Sequence, residues 1–239
     1  MAVQPWRKAL VTELRDETPT TRRFWIQIPE LASFDFIPGQ FVTLDLPIHE
    51  KVNKRWRSYS IASDPDSTNM LELVISLNLN GLGTPWLFNE VKPGTELTLR
   101  GPQGVYKMEQ PIEKPVFMIC TGTGIAPFRS MLRHIRRHHI SHHDIYLIFG
   151  CRTSADLLYA DEMRTLEGEL EGFHYIPVLS REQWEGRTGY VHAVYEELCA
   201  ERPEANFYLC GWKAMLDEAK QRINAMGYTK KDIHLESYG

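Results

Sequence analysis

The chain has 239 residues, 43% hydrophobic, 24% charged and 11% aromatic, which are globular proportions that exclude a disordered or fibrous protein. Its formal charge is -4, with 27 basic against 31 acidic side chains, so the basic imbalance expected for a nucleic-acid partner is missing. No apolar run reaches the ~18 residues of a membrane span, and the start MAVQPWRKAL lacks the apolar core of a signal peptide. The expectation is a cytoplasmic protein with no integral membrane segment.

In chain order, short alternating apolar runs at 3–14, 21–28, 40–46, 57–62, 71–77 and 96–100 predict six strands, separated by turn residues such as Pro38-Gly39, Pro65 and Pro93-Gly94. Strands at this spacing point to a closed antiparallel β-barrel. Behind Gly81 and Gly83, residues 84–91 set Trp86, Leu87 and Val91 at helical offsets and predict one short helix. After the segment from Pro111 to Pro115 the pattern changes. Residues 116–120 are a continuous apolar run, as in a strand buried on both faces. Phe128, Met131, Leu132 and Ile135 mark one face of a helix. Further strands are predicted at 145–149, 175–179, 207–210 and 233–236, with helices near 155–166, 191–200 and 213–226. This alternation predicts a doubly wound α/β domain with a parallel sheet. It divides the chain near residue 112, into domains over 1–111 and 112–239.

Four cysteines, Cys120, Cys151, Cys199 and Cys210, contain no CxxC pair and no Cx4Cx2C run, so neither a zinc knuckle nor a plant-type iron-sulfur cluster is encoded in these residues. They read as reduced, mostly buried thiols. The run RHIRRHHISHHD over 133–144 holds five of the nine histidines. His138 and His142 have the i, i+4 spacing of a helical zinc pair, but no carboxylate or thiol completes a set, and a solvated helix end is the expectation rather than a metal site. Arg129, Arg133, Arg136 and Arg137 are expected to form a local basic patch suited to an acidic carrier.

The sharpest local signal of the second half is TGTGIAP, Thr121 to Pro127, between a buried strand and a helix. Glycines here let backbone amides approach a pyrophosphate at a helix amino end. Pro127 replaces the third glycine of GxGxxG, and Asp144 precedes the next strand rather than ending it, so a standard NAD-binding site is poorly supported. Taken alone, the motif leaves open a tight strand-to-helix turn without a ligand. On the strand 57–62, Arg57 and Tyr59 share a face, where a guanidinium pairs with phosphate and an aromatic ring stacks on a heterocycle. Gly81-Leu82-Gly83-Thr84 is a second candidate phosphate cradle.

The order RSYS, GLGTPWL, GPQG, GTGIAP, FGCR, LSRE, CGWKAM and ESYG, preceded by FIPGQFV, resembles the ferredoxin-NADP reductase family of flavoproteins over almost the whole chain. The resemblance implies an FAD-binding barrel followed by an NAD(P)-binding α/β domain. It implies that Arg57 holds the FAD pyrophosphate, Tyr59 stacks on the isoalloxazine, Ser60 approaches flavin N5, and Ser58 lies on the same binding strand. Gly81, Gly83 and Thr84 would face the FAD phosphates. Thr121, Gly122 and Gly124 would meet the pyridine-nucleotide pyrophosphate, with Arg152 near the nucleotide. Cys210, Gly211 and Met215 would line the nicotinamide pocket, while Glu236 and Tyr238 close the flavin's other side. The resemblance further implies hydride transfer between nicotinamide C4 and flavin N5 with the rings in contact, and Ser60, Cys210 and Glu236 as the catalytic set that would tune that contact.

Ser180 and Arg181 follow the strand 175–179, where the family reads the adenosine ribose. A hydroxyl and a guanidinium suit a 2'-phosphate, so NADP(H) is favoured over NAD(H), with Arg187 as a second cation. The expected function is transfer of electrons between NAD(P)H and a separate one-electron carrier, foremost a ferredoxin-like iron-sulfur protein. The alternatives are an NADH-dependent reductase component of an oxygenase or cytochrome system, and a non-catalytic electron-transfer or nucleotide-sensing subunit.

Overall fold

In the computed structural model, which describes residues 4–238, a long hairpin opens the chain: β1 (Arg7–Thr18) and β2 (Thr21–Gln27). The expected strand start at Val3 lies outside the described residues. β1 runs beyond residue 14 because its polar half is held by the partner strand, Leu14 opposite Phe24 and Asp16 accepting from Arg22 Nε at 2.6 Å. Alternation of apolar residues ends there although the ladder does not. The remaining elements of this half are β3 (Phe41–Asp45), β4 (Trp56–Ser60), β5 (Met70–Ser76), α1 (Gly83–Glu90) and β6 (Glu96–Gln103). The antiparallel order is β4-β3-β6-β1-β2-β5. The outer strands meet at a bridge between Ile61 and Leu73, and the Ala62 N–H donates to the Glu72 carbonyl at 2.8 Å, so the sheet closes on itself as a barrel. Inside lie Val11, Phe24, Ile26, Val42, Leu44 and Leu73, capped by Leu87 of α1.

The second half contains β7 (Val116–Thr121), α2 (Ile125–His138), β8 (Ile145–Cys151), α3 (Ala160–Glu169), β9 (Phe173–Leu179), β10 (Arg187–Thr188), α4 (Val191–Leu198), β11 (Asn206–Trp212), α5 (Lys213–Ala225) and β12 (Ile233–Tyr238). Its all-parallel sheet has the order β10-β9-β8-β7-β11-β12. From β7 the chain winds outward to β10 and then returns to β11 and β12 on the other side, which makes the β7/β11 boundary the switch point of a doubly wound sheet. One face packs Phe117, Ile119, Ile148, Phe207 and Leu209 against Val191, Val194 and Tyr195 of α4 and Leu216, Ala219 and Ile223 of α5. The alternate residues Met118, Cys120, Leu147 and Phe149 are buried too, as expected for a sheet covered on both faces. Four rings in register, Phe207, Phe117, Tyr146 and His174, stack across β11, β7, β8 and β9 with centroids 5.2, 4.9 and 4.7 Å apart.

The helix predicted over 155–166 is in fact two pieces. Thr153 and Asp156 close a capping box over the short turn Ser154–Asp156, and buried Leu158 and left-handed Tyr159 (φ 55°) interrupt the chain before α3 begins. The two-residue β10 carries no sequence signal. Two compact units emerge: residues 1–108 with Arg129–His134 of α2, and residues 109–128 with 135–239. Among the described residues no helix is long and apolar enough to cross a membrane, and no three His, Cys, Asp or Glu side chains gather as metal ligands.

The expected basic patch does not form as read. Arg129 is buried and donates to Glu72 and to the Ala62 carbonyl, both within the first unit. Arg133 pairs with Asp64 at 2.7 Å and Arg136 with Glu169 at 2.6 Å. Carboxylates distant in sequence answer these three of the four arginines.

Candidate functional site

In the first unit, β4 turns Arg57 and Tyr59 to one face and Trp56 and Ser58 to the other. The Ser58 hydroxyl bonds Thr43 at 3.1 Å, away from the Arg57 face. Arg57 Nη1 donates to the carbonyls of Lys54 and Trp56, at 3.0 and 2.8 Å, which bends its side chain along the strand. There it lies over Gly83, the first residue of α1: a Cβ at Gly83 would stand 3.1 Å from Arg57 Cγ and 3.2 Å from Nε. The first N–H groups of α1 have no side-chain cap. Uncapped amides beside a guanidinium, at a helix start closely covered by that side chain, fit a pyrophosphate. Thr84 contributes its backbone alone, since its hydroxyl accepts from Asn78 N–H at 2.8 Å and donates to Asn78 O at 3.2 Å. Gly81 closes the preceding turn, its N–H on Asn78 O at 3.0 Å. Tyr59 remains a neutral phenol, because burial pushes its pKa up more strongly than Arg57 draws it down. Ser60 is buried at the end of β4.

The second unit builds its cradle from backbone. Gly124 passes so close to β11 that a Cβ would stand 2.3 Å from the Cys210 carbonyl oxygen. Gly211, at φ +144°, leaves 2.6 Å between such a Cβ and Thr121 Oγ1, and 3.2 Å to Met215 Cε. Gly122, at φ +53°, adopts the left-handed turn with open space beside it. The Thr121 hydroxyl is buried without a protein hydrogen-bond partner, a donor placed where a phosphate oxygen would satisfy it. Thr121, Gly122, Gly124, Gly211 and Met215 therefore converge at the carboxyl ends of β7 and β11, the switch point of the sheet.

Cys210 and Glu236 are register partners on β11 and β12, with Sγ 3.9 Å from Oε2. Burial, and then the Glu236 charge, push the Cys210 thiol well above its ordinary range, while contact with Tyr238 pulls the other way. The three side chains thus share one locus, and the thiol is protonated rather than nucleophilic. At the ends of β8 and β9, Arg181 N–H donates to Arg152 O at 2.9 Å, and the Ser180 hydroxyl to Cys151 O at 3.1 Å. Among the described residues neither the Arg152 nor the Arg181 guanidinium has an acid partner. The Glu182 carboxylate is turned onto Ser154 and accepts from its N–H at 2.7 Å. Arg187 is bound at both nitrogens by Glu197, at 2.6 and 2.7 Å, and does not stand ready as a second cation.

Two exposed aromatics were missed by sequence reasoning. Trp212, opposite Tyr238 in the ladder, and Tyr190, at the start of α4, are 62% and 74% exposed. Their signal was an aromatic directly after a glycine, in CGW and in TGY.

A family model described as an oxidoreductase FAD-binding domain matches residues 8–108, and one described as an oxidoreductase NAD-binding domain matches residues 118–221. The chain is 32% identical to ferredoxin-NADP reductase B of Sorangium cellulosum, over 98% of each chain. It is 29% identical to the anthranilate 1,2-dioxygenase electron transfer component of Acinetobacter baylyi, over 85% of this chain and 58% of that protein's length. The solved structure of the Amycolatopsis cytochrome P450 reductase GcoB superposes with a TM-score of 0.87 at 29% identity, covering 99% of this chain and 71% of that one. Joined to two cradles whose glycines and unsatisfied donors fit dinucleotide phosphates, these likenesses make the chain a member of the ferredoxin-NADP reductase family, an FAD-containing reductase that uses a nicotinamide dinucleotide.

Proposed function

We propose that the protein passes electrons between NADPH and a separate one-electron carrier of the ferredoxin type. The observation that carries this reading is the alignment over 98% of both chains with a relative named for that activity. FAD, once held by the first unit, would supply two-electron chemistry with the nicotinamide and one-electron chemistry with an iron-sulfur acceptor. In this reading Arg57 and the first amides of α1, at Gly83 and Thr84, hold the FAD pyrophosphate. Tyr59 supports the isoalloxazine, Ser60 addresses N5, and Tyr238 covers the other side. Gly122, Gly124 and the Thr121 hydroxyl receive the nicotinamide-nucleotide pyrophosphate. Cys210, Gly211, Met215 and Glu236 shape the nicotinamide pocket, and the neutral thiol orients without bonding covalently. Four free thiols, three of them buried, suit the reducing cytoplasm.

Preference for NADPH rests on the unpaired Arg181 and Arg152, two cations for a 2'-phosphate, since the Ser180 hydroxyl proton is engaged by the Cys151 carbonyl. Purified protein should be yellow, release FAD on heating, and reduce an added ferredoxin with NADPH. Protein that is colourless and cannot be reconstituted with FAD overturns the reading. Arg181→Ala should lower kcat/KM for NADPH about tenfold, or ~1.4 kcal/mol, with NADH unaffected. Equal losses with both nucleotides overturn the 2'-phosphate assignment. A second reading, an NADH-linked reductase component of an oxygenase or cytochrome system, is favoured by the likeness to the dioxygenase component and to GcoB. It predicts a higher kcat/KM for NADH in the wild-type protein.

A further inference from the structure

Charged side chains are seldom fully buried unless paired, and the first unit buries Arg129 and Glu72, at 2% and 4% exposure, for which the cofactor assignments have no use. The Glu72 carboxylate is divided between two guanidinium groups. Its Oε2 accepts from Arg129 Nη1 at 2.9 Å and its Oε1 from Arg23 Nε at 2.7 Å. Arg23 in turn reaches Glu17 at 3.3 Å. The same Arg129 Nη1 donates to the Ala62 carbonyl at 2.8 Å, while the Ala62 N–H donates to the Glu72 carbonyl at 2.8 Å. The Glu72 N–H donates to the Ser63 hydroxyl at 3.0 Å. Residue 62 is therefore held from both sides, at the seam where the Ile61–Leu73 bridge closes the barrel. Ser60 is the residue just before that bridge.

We propose that Arg129 is a positioning residue for the Ser60 hydroxyl. By fixing the Ala62 carbonyl, and Glu72 opposite it, Arg129 sets where the end of β4 lies against β5. An apolar contact at the same place would fill space without defining that register, whereas hydrogen bonds of directional geometry define it. The proposal rests on the assignment of Ser60 to the flavin edge. Arg57 stands three residues earlier on the same strand, but its guanidinium is tied to the Lys54 and Trp56 carbonyls and its side chain lies over Gly83, so a loosened seam at residue 62 moves the flavin edge more than the pyrophosphate grip.

The test is Arg129→Met in the FAD-loaded protein, read by rapid-mixing reduction with NADPH, by the visible flavin spectrum, and by FAD titration of the apoprotein. Reduction should slow about tenfold, as expected for a small misplacement of a reacting group. The flavin bands should shift, FAD affinity should hold, and Arg129→Lys should recover most of the rate. Combined with Ser60→Ala, the second substitution should cost less than it does alone, because both act through one hydroxyl. Wild-type reduction and spectrum in Arg129→Met, full additivity with Ser60→Ala, or a Ser60→Ala variant without effect each overturn the proposal. Should Arg129→Met fail to fold, Glu72→Gln keeps an acceptor for the network and takes the same spectral and additivity test. Wild-type protein that binds no FAD instead refutes the functional reading.

Discussion

At the amino end of α1 a phosphate would meet a side chain, the Arg57 guanidinium that already lies across Gly83. After β7 it would meet backbone and one hydroxyl, that of Thr121, with Gly124 pressed against the Cys210 carbonyl. A wall made of a long, flexible side chain can give way, and one made of peptide groups cannot. A guanidinium beside helix amides also grips an anion more tightly than neutral donors do. In the proposed reading the barrel would keep its nucleotide resident, and the α/β unit would take and release one at each turnover.

A single methyl group sharpens this contrast. Gly124→Ala places a Cβ against backbone and should cost about 1–3 kcal/mol in stability, with a loss of about 100-fold in kcat/KM for the nicotinamide nucleotide. Gly83→Ala pushes only on the Arg57 side chain and should lower FAD affinity modestly, leaving Tm nearly unchanged. Equal effects of the two substitutions on Tm would erase the distinction. Next in size, Arg57→Ala removes a charge-assisted contact of about 1.5–3 kcal/mol and should weaken FAD binding about 10- to 100-fold, seen as flavin fluorescence released on dilution. The KM for the nicotinamide nucleotide should be unmoved.

The smallest effect lies away from both cradles. His192 donates to or accepts from the Tyr195 hydroxyl at 2.9 Å and faces Glu218, with Arg222 and Glu196 beyond. Burial depresses its pKa, and the Glu218 charge offsets part of that shift. Because the unfolded chain takes up this proton first, the contribution is complete above about pH 6.5 and is lost as pH falls through the lower folded value. Acidification from neutrality should therefore lower the Tm of the wild-type protein more than that of His192→Gln; parallel curves would exclude His192 as the cause.

Much of this architecture is written locally. The alternating runs near β2, β3 and β5 and the continuous run at β7 declare their strands because burial repeats with the period of the backbone. Both cradles were legible for a related reason: glycines next to a strand end are constrained by their immediate neighbours. What the sequence concealed are pairings between distant residues. Arg129 belongs by composition to the basic run that follows it, yet its partners are Glu72 and Ala62, on the barrel seam. Arg187 looked available until Glu197 was found to hold it, and the β1 end at Thr18 depends on charges in β2. The Leu158–Tyr159 break before α3 is likewise set by tertiary burial overriding a helical pattern.

The ring stack of Phe207, Phe117, Tyr146 and His174 bears on how the second unit comes apart. Each ring belongs to a different strand, and those strands are separated in sequence by whole helices, so no sub-fragment can complete the stack. Its amides should exchange with solvent through one shared opening event, making the parallel sheet a single foldon rather than a set of βα units that fray one by one.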